Sequence, residues 1–156
     1  MSAGHIYNYF ESKDAIIMAF VEMRVEHVTN RLCHVGKQDD PLEYMFEELG
    51  EIVDEHLDLA SWSMTMEIYA EAARNPVIAN ALQTADATAR AQLNTLIQRG
   101  RAQRGLASDD ATVNSRTEAM AAMFNGLPMR ALHHPGLDRD SLVTALRVGM
   151  KALMMT

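Results

Sequence analysis

Two adjacent pairs, Cys33-His34 and His133-His134, are the first places to look for chemistry. Neighbouring residues on a helix point about 100° apart, so His133 and His134 could not easily share a metal. Each pair falls at a helix end, and there a cationic histidine favourably meets the last carbonyls. A Cys33-His34 ion pair for nucleophilic work would need the fold to bring the thiol and imidazole together. The 156 residues contain no glycine-rich phosphate loop, nucleophile elbow or metal-spaced pair on one helix face. A binding protein is therefore expected rather than an enzyme, with no cofactor and no metal. His56 lies on an apolar stripe, as either a satisfied core histidine or a donor to a ligand. The twelve methionines say more as a set. Met45, Met64, Met66, Met120, Met123 and Met129 fall in the middle helices near Trp62, Tyr69 and Phe124. Flexible thioethers suit a cavity that re-packs around varied apolar molecules, although any one of them serves equally well as core.

Helices must position these residues. Helical periodicity covers nearly the whole chain and strand-like alternation is nowhere sustained, so the fold class is all-α. A short helix is expected over 2–9, with Ser2 as its cap. Ser12 caps a long one that runs to about Cys33 and ends near Gly36, with Ile16, Ile17, Phe20, Val21, Val25, Val28 and Leu32 as one apolar stripe. Asp40 and Pro41 open a helix over 41–59, and another covers 61–74. Asn75 and Pro76 open a helix that runs to about Gln103 and is closed by Gly105. The "SDDAT" segment starts a helix over 109–132, which Pro128 should kink or end. The last helix spans 139–155.

Composition sets bounds on the partners. With 48 % hydrophobic and 22 % charged residues, the chain is globular. Its net charge of −7 argues against a broad basic surface for nucleic acid. A lone cysteine, no signal-like start and no apolar stretch of bilayer length point to a cytoplasmic protein without a membrane partner. Leu142, Leu146, Gly149 and Leu153 make a seam on the last helix with Ala145 beside it, and Met123 and Leu127 offer a matching surface. This is more apolar face than one chain covers, so a homodimer through a four-helix interface is expected.

The stretch "SAGHIYNYFESKDAI" carries a more specific signal. Ser2, Gly4, Ile6, Tyr7, Tyr9, Phe10, Ser12 and Lys13 follow the pattern of the recognition helix and the start of the next helix in TetR-family transcriptional regulators, which the chain resembles. The remainder is similar to that family's ligand-binding and dimerisation domain in helix lengths and in the segment "MEIYAEAARNPVIANAL". The resemblance implies a helix-turn-helix remnant over 1–11 and a ligand-binding and dimerisation domain over 12–156. Ser2, Ala3 and His5 would then meet base edges, and Tyr7, Tyr9 and Lys13 would meet phosphates. Ile6 and Phe10 would pack on two helices that the family places upstream, so the chain is expected to be truncated and to bind operator DNA only with them. The implied effector is an apolar small molecule, in a cavity expected to be lined by Met45, Leu49, His56, Trp62, Met66, Tyr69, Leu93, Ile97, Met120 and Phe124. The implied function is a ligand-responsive regulator, usually a repressor. The alternative is a stand-alone helical carrier or a dominant-negative dimerisation module without DNA binding.

Overall fold

Side chains at the breaks of the sequence start the helices. In the computed structural model, which describes residues 12–156, Ser12 accepts a hydrogen bond from the Ala15 amide and opens α1, Lys13–Gly36. Asp40 accepts from Glu43 ahead of α2, Pro41–Glu47, and α3 follows directly as Leu49–Leu57. Asp58 caps α4, Leu59–Ala72, and Asn75 caps the long α5, Pro76–Ala102. Asp109 opens α6, Asp110–Asn125, which is followed by α7, Leu127–His133. Asp138 caps α8, Arg139–Met155. An oxygen at each of these caps satisfies amides that the first helical turn leaves free. No strand occurs among the described residues. No helix there is long and apolar enough to cross a membrane.

The two helices without a side-chain cap, α3 and α7, are continuations of the helices before them. The expected break at Pro128 is present. Pro128 has no amide to offer the preceding turn, and the backbone turns at Gly126. The helix expected over 41–59 is instead two, meeting at Glu48, although Glu48 still donates to Tyr44 and its carbonyl still accepts from Ile52. The bend lets α2 lie against α5 while α3 turns to α7 and α8. Closure of α5 at Gly105 is as expected: Gly105 has a φ of +66°, and the Leu106 amide reaches back to the Arg101 carbonyl. Only glycine takes this left-handed turn without strain.

Two apolar clusters hold the helices together. The larger gathers Val35, Leu42, Phe46, Leu49, Val53, Ile97, Val113, Met120, Phe124, Leu127 and Met154 from α1 to α8. The smaller joins Ile17 and Val21 of α1 to Ile68 of α4 and Ile78 of α5. The last turns of α5 also clamp the α1–α2 turn: Arg99 donates to the Gly36 and Gln38 carbonyls, Gln103 to that of Asp39, and Arg104 to the Asp40 carboxylate. That ion pair, aided by the Glu43 amide, holds the Asp40 carboxyl below its usual range.

Candidate functional site

Beside the smaller cluster, α1, α4 and α5 line an open-sided cavity of about 390 Å³. Its apolar wall is Phe20, Val21, Val25 and Val28 of α1, Ile68 of α4, and Leu82, Ala85 and Ala89 of α5. This size and lining lie within the range of small-molecule sites. Arg24, Thr29, Thr65, Tyr69, Gln83, Asp86 and Asn125 add polar groups.

Thr65 is the informative one. It is 7 % exposed, and its hydroxyl has no hydrogen-bond partner among the described residues. A buried hydroxyl left without a partner is destabilising, and it would be satisfied by a ligand reaching it. Thr65→Val keeps the shape and removes the unmatched group. The variant should be more stable than the parent without ligand, by about 1 kcal/mol. For a chain of this size that is a rise of about 3 °C in Tm, measured by thermal unfolding monitored by circular dichroism. A lower Tm would mean that the hydroxyl is already satisfied.

Arg24 interrupts the apolar stripe of α1 and lies with its guanidinium carbon 5.3 Å from the centre of the Trp62 ring. Among the described residues no carboxylate forms an ion pair with it. Asp86, also on the cavity wall, is held 2.8 Å from Arg90 one turn along α5. Burial pushes the Tyr69 phenol above its usual pKa, which is already well above neutral, so its hydroxyl can donate.

The residues expected to line the cavity are distributed differently. Tyr69 is on its wall, and the other nine are not. Met45, Leu49, Ile97, Met120 and Phe124 are buried in the larger cluster and Leu93 packs against it. His56, Trp62 and Phe124 do come together, as an aromatic group with ring centres 5.0 and 5.5 Å apart. Its polar edges are satisfied by the backbone: His56 Nδ1 lies 2.7 Å from the Ile52 carbonyl, and the Trp62 indole donates to that of Glu55. Burial lowers the pKa of His56, which keeps the ring neutral. Met66 is half-buried, and Met64 and Met129 are exposed. Helical spacing marks a methionine as inward-facing without saying whether a neighbour or a void lies beyond it. A usable signal was present in Phe20-Arg24-Val28, one charge set into an apolar face at four-residue spacing.

The expected dimer residues mostly face inward. Leu127 is 4 % exposed in the larger cluster, while Met123, Leu142, Leu146 and Leu153 pack against it. Gly149 faces the Met123 side chain. Ala145 is exposed, as are Ala152 and Val148, the last at 68 %. The uncovered apolar edge of α8 thus lies one step around the helix from the expected seam.

Of the residues expected to touch DNA, Ser2, Ala3, His5, Tyr7 and Tyr9 lie outside the described residues. Lys13 is held 2.7 Å from Glu71 at the end of α4, which also pairs with Arg74. Alongside, Asn75 donates to Asp14 at 3.3 Å. Hydrogen bonds from Arg74 and then Lys13 hold the Glu71 carboxyl down at about 2, against an ordinary 4.5. A depressed carboxylate pKa stabilises the fold at pH above the unfolded value and loses that contribution as pH falls through the folded one. Glu71→Gln should therefore lie below the parent in stability by a constant margin from pH 7 to 5. The two unfolding curves should converge between about pH 4.5 and 2. Since Lys13 and Arg74 are exposed, the margin should shrink with added salt.

An all-helical domain whose first long helix shares a ligand-sized cavity with the central ones is the TetR-like C-terminal architecture. The chain belongs to the family of BetI-type transcriptional repressors, whose C-terminal-domain model matches residues 46–154. The structure is similar to that of GusR from Salmonella enterica, with 25 % sequence identity and a TM-score of 0.71 over 100 % of this chain and 80 % of that one. No curated protein matches the sequence. The protein is thus a transcription regulator of the TetR type in family and fold.

Proposed function

We propose that this protein is a ligand-responsive repressor whose effector occupies the cavity between α1, α4 and α5. The observation that carries this reading is a cavity of about 390 Å³ with an unmatched buried hydroxyl in its wall. Two of the helices that wall it, α1 and α4, also carry contacts at the start of α1. On α4, Thr65 and Ile68 face the cavity and Glu71 follows one turn later. On α1, Phe20 and Arg24 face it, and Lys13 and Asp14 pair with Glu71 and Asn75. A molecule pressing between the helices moves α1 relative to that anchor. In this reading residues 1–11, with Ser2, Ala3, His5, Tyr7 and Tyr9, form the recognition helix that leads into the start of α1, next to that anchor.

The working unit is a homodimer that pairs through α6 and α8, where Ala145, Val148 and Ala152 are uncovered. Two recognition helices must meet half-sites about 34 Å apart, so a small tilt of α1 is enough to lose operator affinity. The effector biases this only through its different affinity for the two arrangements.

A mobility-shift titration with DNA from upstream of the protein's own gene tests the proposal. The chain extended at its N-terminus by the first two helices of a TetR-type helix-turn-helix should shift that DNA, whereas the chain as given should not. If the extension changes nothing, a carrier or dominant-negative module is the better reading.

A further inference from the structure

Resting on the reading of this cavity as the effector site, we infer that its occupant is an amphipathic anion, an apolar body bearing one oxyanion group that Arg24, Thr65 and Tyr69 receive. The cavity is apolar over most of its wall, so a fully hydrated or multiply charged molecule would lose more solvation than it regains. Its polar groups are unequally committed. Asp86 is paired with Arg90 at 2.8 Å and is largely exposed to water, so it is a weaker anchor for a cationic ligand than the half-buried Arg24 is for an anion, although Arg90 is shared with Glu118. Arg24 has the face of Trp62 and no carboxylate among the described residues, so its positive charge is the one without an answer. A guanidinium in a partly desolvated wall binds a planar or tetrahedral oxyanion through charge-assisted hydrogen bonds.

The neutral donors agree in sign. Thr65 presents a buried hydroxyl with no partner among the described residues, and Tyr69, whose ordinary phenol pKa is already far above neutral, offers a second hydroxyl from the cavity wall. Both hydroxyls can donate to an oxyanion, whereas an ammonium group would need them only as acceptors and would sit in the field of Arg24. A neutral hydrocarbon would fill the volume but leave the guanidinium without a counter-charge and the hydroxyl unmatched. The anion is the occupant that satisfies all three groups together.

Anilinonaphthalene sulfonate and phenylnaphthylamine share one fluorescent body with and without an acid group, and both report an apolar site by their emission. Titrated into the intact chain, the sulfonate should bind about tenfold or more tightly than the neutral dye, the scale of one charge-assisted contact. Arg24→Met should erase that preference while leaving the neutral dye bound. Thr65→Val, which neither opens nor fills the cavity, should weaken the sulfonate about threefold and so supports the test if Arg24→Met folds poorly. Ala89→Phe, placed to occlude the cavity from α5, should abolish both signals. Equal affinity for the two dyes, both lost in Ala89→Phe and neither changed by Arg24→Met, would overturn the anion while keeping the cavity as the effector site. Dye binding that Ala89→Phe does not touch would overturn the effector site itself, and the anion with it.

Discussion

Arg101→Met should destabilise the protein by about 3 kcal/mol or more. Arg101 lies in the last turn of α5 and is 0 % exposed. Its guanidinium donates to the Ala107 carbonyl at 2.6 Å, to that of Met154 at 2.5 Å and to that of Thr156 at 3.4 Å. Burial, and then the charge of Arg116, lower its pKa from the ordinary arginine value. The group that offsets this burial is the carbonyl end of α8, which carries the negative pole of a 17-residue helix and has no intrahelical donors left. Arg116 serves the same end by donating to the Leu153 carbonyl. Methionine restores the bulk of the side chain but leaves those oxygens buried and unpaired. Tm should fall by about 10 °C in a chain of this size. Arg101→Lys should recover only part of the loss, because one ammonium lacks the planar fork that reaches several acceptors. A loss under about 1 kcal/mol would show that water reaches these carbonyls once the arginine is gone.

Gly100→Ala is expected to destabilise the protein by about 2 kcal/mol, against the usual preference of a helix for alanine. On an open helix face the same change would stabilise by about 1 kcal/mol. At Gly100, however, a Cβ would stand 2.5 Å from Cγ of Leu42 and 3.0 Å from its Cδ1. Leu42 is wholly buried in the larger cluster, so it has no free space to move into. The absent side chain is what lets α2 approach α5. Denaturant unfolding of Gly100→Ala and Gly100→Ser should show both below the parent with an unchanged slope. Stability at or above the parent would mean that α2 moves away from α5 without loss, and that the approach is incidental.

Both sites sit on α5, and that explains how the molecule divides its work. The last turns of α5 are fixed by Arg101, by Gly100 against Leu42, and by the clamp on the turn at 37–40. Its first half meets α1 and α4 around the cavity, where Ile17, Val21, Ile68 and Ile78 are buried. A clamped end and an end beside a cavity on one helix suit a domain whose ligand site must yield while its frame does not.

Much of the architecture was legible from local chemistry. Asp40-Pro41 and Asn75-Pro76 specify helix starts because an oxygen acceptor and a preset φ act within one turn. Gly105 and Pro128 mark a stop and a break for equally local reasons. The fold class therefore followed from spacing alone. The Glu48 bend was not legible, since Gly50 in "FEELGE" weakens a helix without placing a break at Glu48, and the different neighbours of α2 and α3 go with the change of direction.

The functional residues divide along the same line. An apolar stripe states which face of a helix leaves water; of the ten residues expected at a cavity, Tyr69 lies on the wall of this one, whereas Met45, Leu49 and Ile97 are buried in the larger cluster. Whether a side chain then meets a neighbour or a void depends on helices dozens of residues away. Arg101 is the extreme case: in sequence it is one more basic residue near a helix end, and two of its three acceptors lie 53 and 55 positions further on. Local hydrogen bonding and helical period determined the elements and their inward faces. Only tertiary packing decided which inward face closes on carbonyls, which on hydrocarbon, and which on the space left between α1, α4 and α5.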